Sequence, residues 1–467
     1  MNFESNWAFL ADSARRTLRR LGKMGAGQAE AYILATRTIE TSIRNSTVLT
    51  ESAIEDMGLS FRAATRDSRV GFACTNIVDN EQRIADTGEK ALSVARLSAP
   101  VPGFALPDKQ KATHVEGLFD KAVVMAGVED AVDIARRLIE STEVVDNRVC
   151  ARGGQVLLAY IRKGVVNSLG VDVETEETQA IGFVYGNGVN EGKPTPSCAD
   201  GELLRSFSLE PEKIGQATGR MIIGLFDSKP IENFVGSVVF EPEAISYQLC
   251  DAILGAVKGE VVAAGGSPWA DKTDQTVASA DFTVYDDAIL KGGFASRAFD
   301  DEGHPSQRTT LISKGQLKSF LHDATTANTL KTENTGNASR FAGGMEMTKM
   351  IIGNGYKAKP EVYPSNLVIQ LGNKSKEKLI SEVDRGLLVG SMAGFVQAGS
   401  GLISAQLGRA HYIQHGEIKH SVKGGMVSGV AFDWLRQISA IGNDAKQYFN
   451  SVVPSLRVEK VKVVGSN

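Results

Sequence analysis

Trp7, Leu10, Ala14, Leu18 and Leu21 recur near helical spacing, with Arg15, Arg16, Arg19 and Arg20 between them. This pattern predicts an amphipathic helix, closed by Gly22, Gly25 and Gly27. The period then drops to two at Ala31, Ile33 and Ala35 and again at Ile39, Thr41 and Ile43, which predicts strands. Residues 58–63 and 69–73 read as a hairpin about Thr65–Ser68, a stretch rich in turn formers. Asp79 and Gln82 predict a capping box for a helix running to about Ser98.

Three prolines, Pro100, Pro102 and Pro107, fall within 98–107 and mark a linker, since proline fits neither a helix interior nor a central strand. Beyond it the theme repeats. A helix is expected over 128–141, extended chain over 155–173 and 178–185, and a helix from Pro211 to about Phe226 with Ile214, Ala217, Met221 and Leu225 on one face. From Glu232 onward, short apolar runs alternate with glycine and polar turns: 237–240, 282–285, 309–312, 366–370, 411–414 and 456–458. Helical stretches interrupt them near 244–258 and 374–385. The expected fold is α+β, with N-terminal two-layer α/β units followed by a large, mostly antiparallel β-rich C-terminal domain. The expected boundaries are 1–105, 106–230 and 231–467.

Composition narrows the function classes. The chain has 467 residues, 42% of them hydrophobic, and its 51 basic and 55 acidic residues leave a net charge of −4. No basic block provides the electrostatic footprint of a nucleic-acid binder, so no nucleic-acid partner is expected. The N-terminal stretch is charged throughout and lacks the apolar core of a signal peptide. The longest uncharged run, 386–408, is too rich in glycine to span a bilayer. A cytoplasmic location without membrane attachment is therefore expected. Cys74, Cys150, Cys198 and Cys250 form no C-x-x-C pair, so neither a disulfide framework nor a zinc ribbon is implied.

Few residues suggest chemistry. The chain has no G-x-S-x-G, no phosphate-binding loop motif and no H-E-x-x-H. His411 and His415 would share a helix face, but Gly416 and the local alternation favour a hairpin. On a strand the two would lie roughly 13 Å apart, which suits surface histidines better than zinc ligands. The cluster Asp300, Asp301, Glu302 and His304 reads either as hard metal ligands or as an acidic turn punctuated by Gly303 and Pro305. Asp286 and Asp287 carry the same ambiguity. Gly336, Asn337 and Arg340 form a small-residue loop ending in a guanidinium, suited to a peptide backbone or carboxylate and equally to an ordinary connection.

The third unit carries a resemblance. Ser267-Pro-Trp-Ala, Thr276-Val-Ala-Ser, Phe282-Thr-Val-Tyr-Asp-Asp287, Phe299-Asp-Asp-Glu-Gly-His-Pro305, residues 311–321, Asn334-Thr-Gly-Asn-Ala-Ser-Arg340, His415-Gly-Glu-Ile418 and Ile441-Gly-Asn-Asp444 resemble the TldD/PmbA family in order and spacing. Gly58–Arg62, Arg69–Ala73 and Thr75-Asn76 resemble the family's opening hairpin. The resemblance implies a cytosolic subunit of a dimeric zinc metalloprotease that trims unfolded peptides. In that pairing the TldD-type subunit carries H-E-x-x-x-H and a later cysteine, and its partner is of TldE (PmbA) type.

This chain departs from the catalytic pattern where the motif would stand. By the resemblance, Glu241 stands where the first histidine would be, Pro242 where the glutamate would be, and Ser246 near the second histidine. No histidine lies between His114 and His304, and no cysteine follows Cys250. The resemblance therefore implies a TldE-type, non-catalytic subunit that binds no zinc of its own and no other cofactor, with zinc in a TldD-type partner. Its partners would be that subunit in a heterodimer or a second copy in a homodimer, together with unfolded peptide. Pro242 suits a first helical position, and Glu241 and Glu243 suit a helix N-terminus, so capping is the expected role of these carboxylates. Two alternatives are an independent metallopeptidase using Asp300, Asp301, Glu302 and His304, and a protein-binding modulator of DNA gyrase.

Overall fold

The computed structural model describes residues 3–340, 355–397 and 399–466, with the side chains of residues 3–5, 50, 51 and 247 outside that description. The first sheet is built from β1 (Gln28–Arg44), β2 (Thr47–Ala64), β3 (Val70–Thr75), β4 (Val149–Asn167), β5 (Asp172–Asn190), β6 (Lys193–Pro194) and β7 (Cys198–Leu204). Its order is β3-β2-β1-β4-β5, with β6 and β7 both on β5, and every pairing is antiparallel. The two α/β units read from the sequence thus contribute to one sheet. β1 pairs with β2 from Gln28 to Arg44 and, on its other side, with β4 from Glu30 to Arg44. The proline-rich linker does not interrupt the ladder.

β1 is central and buried on both faces, and its residues 31–35 form an unbroken apolar run. Its odd-numbered residues face helices. Ala31, Ile33 and Ala35 pack with Trp7, Leu10 and Ala14 of α1 (Phe3–Lys23) and Ile84 and Leu92 of α2 (Glu81–Leu97). Past the short α3 (Lys121–Met125), Ile39 and Ile43 pack with Ile134 and Leu138 of α4 (Val128–Glu143) and Ile214 of α5 (Pro211–Ile223). Tyr32 and Leu34 point the other way, into a core shared with Phe294, Phe299 and Tyr356 of the C-terminal part.

Three local expectations shift. The α2 cap is Asn80, one residue beyond Asp79, and its side chain accepts from the Arg83 N–H at 3.0 Å. The extended reading over 155–173 breaks at a turn after β4, where Asn167 Oδ1 accepts from Leu169 N and Val171 N. The buried face of α5 is Ile214, Gly215, Thr218, Gly219 and Ile222, rotated from the expected one. The glycines cause the rotation. A methyl group on Gly215 would lie 2.0 Å from Ser141 Oγ, and one on Gly219 2.6 Å from Thr142 O, so the bare backbone of α5 lies directly on α4.

The C-terminal part holds a nine-stranded sheet in which Phe234–Phe240 lies parallel to Arg385–Val389 and antiparallel to Leu456–Val464. The other pairings in that sheet are antiparallel. A smaller sheet runs through Val284–Asp287, Arg308–Ser313 and Leu367–Ile369. Both flank one core in which α6 (Pro242–Val257) contributes Ile245, Leu249 and Ile253 beside Trp269, Phe282 and Trp434. Phe240, the last residue before the α6 entry, stacks on Trp434 at 5.2 Å. The architecture is the α+β arrangement expected. His411 and His415 do lie on a hairpin, strands Ala410–Gln414 and Glu417–Ser421, with His415 and Gly416 at φ 52 and 75 in the turn. No helix among the described residues is long and apolar enough to cross a membrane.

The bare contact between α4 and α5 predicts that Gly219→Ala, normally favourable in a helix, lowers stability by about 1–3 kcal/mol through overpacking. The midpoint of chemical denaturation reads this out. A midpoint equal to or above that of the unsubstituted chain would show that the two helices do not depend on this approach.

Candidate functional site

The two groups of residues singled out in the sequence occupy two separate places. The first is the N-terminus of α6. Phe234–Phe240 delivers Glu241 to the edge of the core, where its N–H donates to Val389 O at 2.8 Å. Pro242 takes the first helical position, where its missing N–H costs nothing. Ser246 is buried one turn on, and its Oγ donates to Glu243 O at 3.0 Å.

Glu241 does not cap the helix with its side chain, contrary to expectation. Its carboxylate turns aside to two cations. Lys376 Nζ donates to Oε1 at 2.7 Å, and Arg409 Nη1 donates to Oε2. Arg409 also reaches Glu243, with Nη2 3.5 Å from Oε2. Arg409 fits because Gly390 leaves it room: a Cβ there would lie 2.0 Å from the guanidinium carbon. Across the same space β7 brings Asp200, which pairs with Lys446. Burial alone would raise the Glu241 carboxyl, but Arg409 and Lys376 outweigh it and hold the group below the usual range. Burial pushes Glu243 up to about 6 against the pull of Arg409 and Lys446. Burial also raises the Cys198 thiol to about 11 and lowers the His411 imidazole, so neither is poised as a thiolate or an imidazolium.

The second place is the seam between the first sheet and the C-terminal loops, and it collects Asp300, Asp301, Glu302, Gly336, Asn337 and Arg340. All the charged members are buried. Asp300 closes its own turn, with Oδ1 accepting from Glu302 N at 3.0 Å and His304 N at 2.9 Å, and Oδ2 accepting from Ala338 N at 3.0 Å. Asp301 accepts from Arg340 N at 2.7 Å. Glu302 pairs with Arg62 of β2 at 2.6 Å and accepts from Ala324 N at 3.1 Å. Arg340 pairs with Glu30 of β1 and lies over the Tyr32 ring at 4.8 Å. Gly336 sits at φ 72, where its carbonyl receives Arg297 at 3.2 Å. Asn337 Nδ2 donates to Asp286 Oδ2 at 2.7 Å, while Asp286 Oδ1 accepts from Ser365 N at 2.7 Å. These residues staple two parts of the chain. Their carboxylates are occupied by protein donors, which does not support reading Asp300, Asp301, Glu302 and His304 as a metal site.

Comparisons with known proteins bear on the first place. The family model described as the PmbA/TldA metallopeptidase C-terminal domain matches residues 235–465, and that for PmbA/TldA metallopeptidase domain 1 matches residues 29–95. A metalloprotease of Methanocaldococcus jannaschii is 32% identical over 47% of this chain and 46% of its own length. The match thus spans about half of that relative. Metalloprotease PmbA of Escherichia coli O157:H7 is 23% identical over 98% of this chain and 96% of its own. The crystal structure of TldE from Thermococcus kodakarensis superimposes with a TM-score of 0.87 at 25% identity, covering 97% of this chain and 100% of that one.

This chain belongs to the PmbA/TldD family.

Membership raises the question of zinc, and the α6 N-terminus does not fit it. A protein zinc site needs imidazole, thiolate or carboxylate donors converging on one point. Here the nearest carboxylate, Glu241, is neutralised by Arg409 and Lys376, so a cation approaching it would meet two positive charges. Among the described residues no group of three or more His, Cys, Asp or Glu side chains is placed to hold a metal. The PmbA/TldD match could mark Glu241, Pro242 and Ser246 in the sequence, but it could not mark Arg409 or Lys376. These lie 168 and 135 residues away, and nothing local distinguishes them from other surface cations.

Two predictions follow from these clusters. Arg62→Ala leaves Glu302 without its guanidinium and Glu30 with Arg340 alone, and is expected to cost about 3–5 kcal/mol, measured by denaturant unfolding. A loss below about 1 kcal/mol would show that water reaches the seam. The second concerns pH. The folded chain holds the Glu243 proton up to about 6 against an ordinary 4.5, so this group's contribution to stability is full below 4.5 and is lost as pH rises through 6. Glu243→Gln removes that loss. Relative to the unsubstituted chain the variant should gain about 1–2 kcal/mol between about pH 5 and pH 7. Parallel curves of Tm against pH would contradict the assignment.

Proposed function

We propose that this chain is a TldE-type, non-catalytic subunit of a zinc metalloprotease that trims unfolded peptides. In this reading its α6 helix keeps the shape of a zinc-motif helix without the ligands. The observation that carries the proposal is the Glu241–Arg409–Lys376 cluster at the α6 N-terminus. An ion-paired carboxylate and a proline stand where the resemblance expects a histidine and the general-base glutamate. Two cations supply the charge that a metal would otherwise supply, and Ser246 is engaged with its own helix. The ligands and the activated water would then come from a TldD-type partner in the cytoplasm, with this chain completing the enclosure around the substrate or pairing with a second copy of itself. The match to TldE of Thermococcus kodakarensis over 97% of the chain supports the subunit type.

The test is metal analysis with a paired activity assay. Expressed alone and untagged, the chain should carry far less than one zinc and leave an unfolded peptide intact. Mixed with a TldD-type subunit, it should co-elute, and chelator-sensitive cleavage should appear. Stoichiometric zinc in the chain alone, with cleavage abolished by a chelator, would overturn the proposal.

A further inference from the structure

The seam between the first sheet and the C-terminal loops holds more acids than its cations answer. Among the described residues, eight buried carboxyl groups line it, against five buried guanidinium and ammonium groups. Half-exposed Arg308 reaches one of the acids, Asp287, at 3.7 Å. Unanswered carboxylates held away from water are costly, so the surplus has to be discharged.

The surplus concentrates at Glu302. It meets Arg62 from β2, Glu30 from β1, Asp323 from the cap of the helix Ala324–Leu330, and Asp300 from its own turn. Arg62 is the one cation among these four. Arg340 turns to Glu30 and the Asp301 carbonyl, Arg297 to the carbonyls of Gly336 and Ala338, and Lys163 to Glu177 and Asp301. Burial lowers the His322 imidazole, so it brings no charge, and the His304 ring faces the Pro305 carbonyl.

Glu30 stands directly opposite Arg62 across β1 and β2. Arg62 Nε lies 2.9 Å from Glu30 Oε1, and Nη2 lies 2.6 Å from Glu302 Oε1. Those two nitrogens form one edge of a rigid planar group, so carboxyls from two distant parts of the chain converge on it. Glu30 Oε2 is buried and has no hydrogen-bond partner, an acceptor left without a donor.

We propose that Glu30 and Glu302 share one proton at the Arg62 edge, and that this proton latches the C-terminal loops to the first sheet. The shared O–H answers the open Glu30 oxygen and removes one of the surplus charges. Two carboxyls crowded on one cation separate in acidity, so that one ionises readily and the other resists. Burial and the neighbouring carboxylates push Glu302 up to about 8, in line with this arrangement. An opened seam releases the proton above an ordinary 4.5, whereas the closed seam keeps it to about 8. The latch is therefore at full strength below 4.5, weakens as pH rises through that interval and is lost above 8. It does not rest on the proposed subunit role, since neither zinc nor a sister chain enters into it.

The test follows hydrogen exchange in the full chain by mass spectrometry, on peptides containing Ala324 and Ala338, whose N–H groups donate to Glu302 and Asp300. Base catalysis alone speeds exchange about tenfold per pH unit, and an opening that also releases a proton raises this to about a hundredfold per unit between about pH 6 and 8. Glu302→Gln, which carries its own N–H donor and no charge, should return the dependence to about tenfold. Infrared spectroscopy of the unsubstituted chain needs no variant: the carbonyl band of a protonated carboxyl should persist at neutral pH and disappear near the Glu302 value while the chain stays folded. A tenfold dependence in the unsubstituted chain, or no such band at neutral pH, would overturn the proposal. Protection that grows with added sodium or potassium at fixed ionic strength would overturn it as well, by putting a metal cation in place of the proton.

Discussion

Glu30 lies on β1 with no exposed side-chain surface and faces two guanidinium groups, Arg62 from the neighbouring strand and Arg340 from a loop 310 residues away. A carboxylate taken out of water is costly unless it is paired, and the cost of losing a partner far exceeds the gain of making the pair. The C-terminal loops can therefore dock on the first sheet only in the register that brings Arg340 to Glu30 and Glu302 to Arg62. Packing around this contact adds area but no choice of register: Phe294, Phe299 and Tyr356 meet Tyr32 and Leu34 through non-directional contacts. Burial and the neighbouring carboxylates raise Glu302 to about 8 despite Arg62, a sign of how many acids the seam holds.

With the seam set, the α6 N-terminus follows. Phe234–Phe240 is clamped between Arg385–Val389 and Leu456–Val464, so Glu241 emerges at a fixed point beside Val389. Strand β7, part of the first sheet, then brings Asp200 and Cys198 up to the same helix end. One end of α6 is thus lined from both parts of the molecule. What fills it here is a set of ion pairs, and the helix keeps its geometry because a proline and two glutamates suit its start.

The helices and most strands were legible because their signals are local. The 3.6-residue period of Trp7–Leu21 and the alternation over 31–43 each lie within a single element. The α5 face was misread because hydrophobicity was used to choose it, whereas Gly215 and Gly219 chose it by letting backbones touch. Asp300, Glu302 and Arg340 were noticed as chemistry-bearing residues, yet their role stayed open, since a cluster of acids looks the same whether it holds a metal or a guanidinium.

By itself the sequence determined the element types, the α+β class, the family, and the absence of histidine and cysteine ligands where a zinc motif would stand. Each of these depends on residue identity or on spacing within a short stretch. Only the tertiary structure decided that β1 joins two apparent units into one sheet. It alone showed that the acidic cluster is a staple and that Arg409 and Lys376 occupy the Glu241 carboxylate. Those facts depend on which residues meet across 100 residues or more of chain. Pairings of that kind are settled by the burial of charge and the closure of sheets, and they leave no periodic trace in the local pattern of polar and apolar positions.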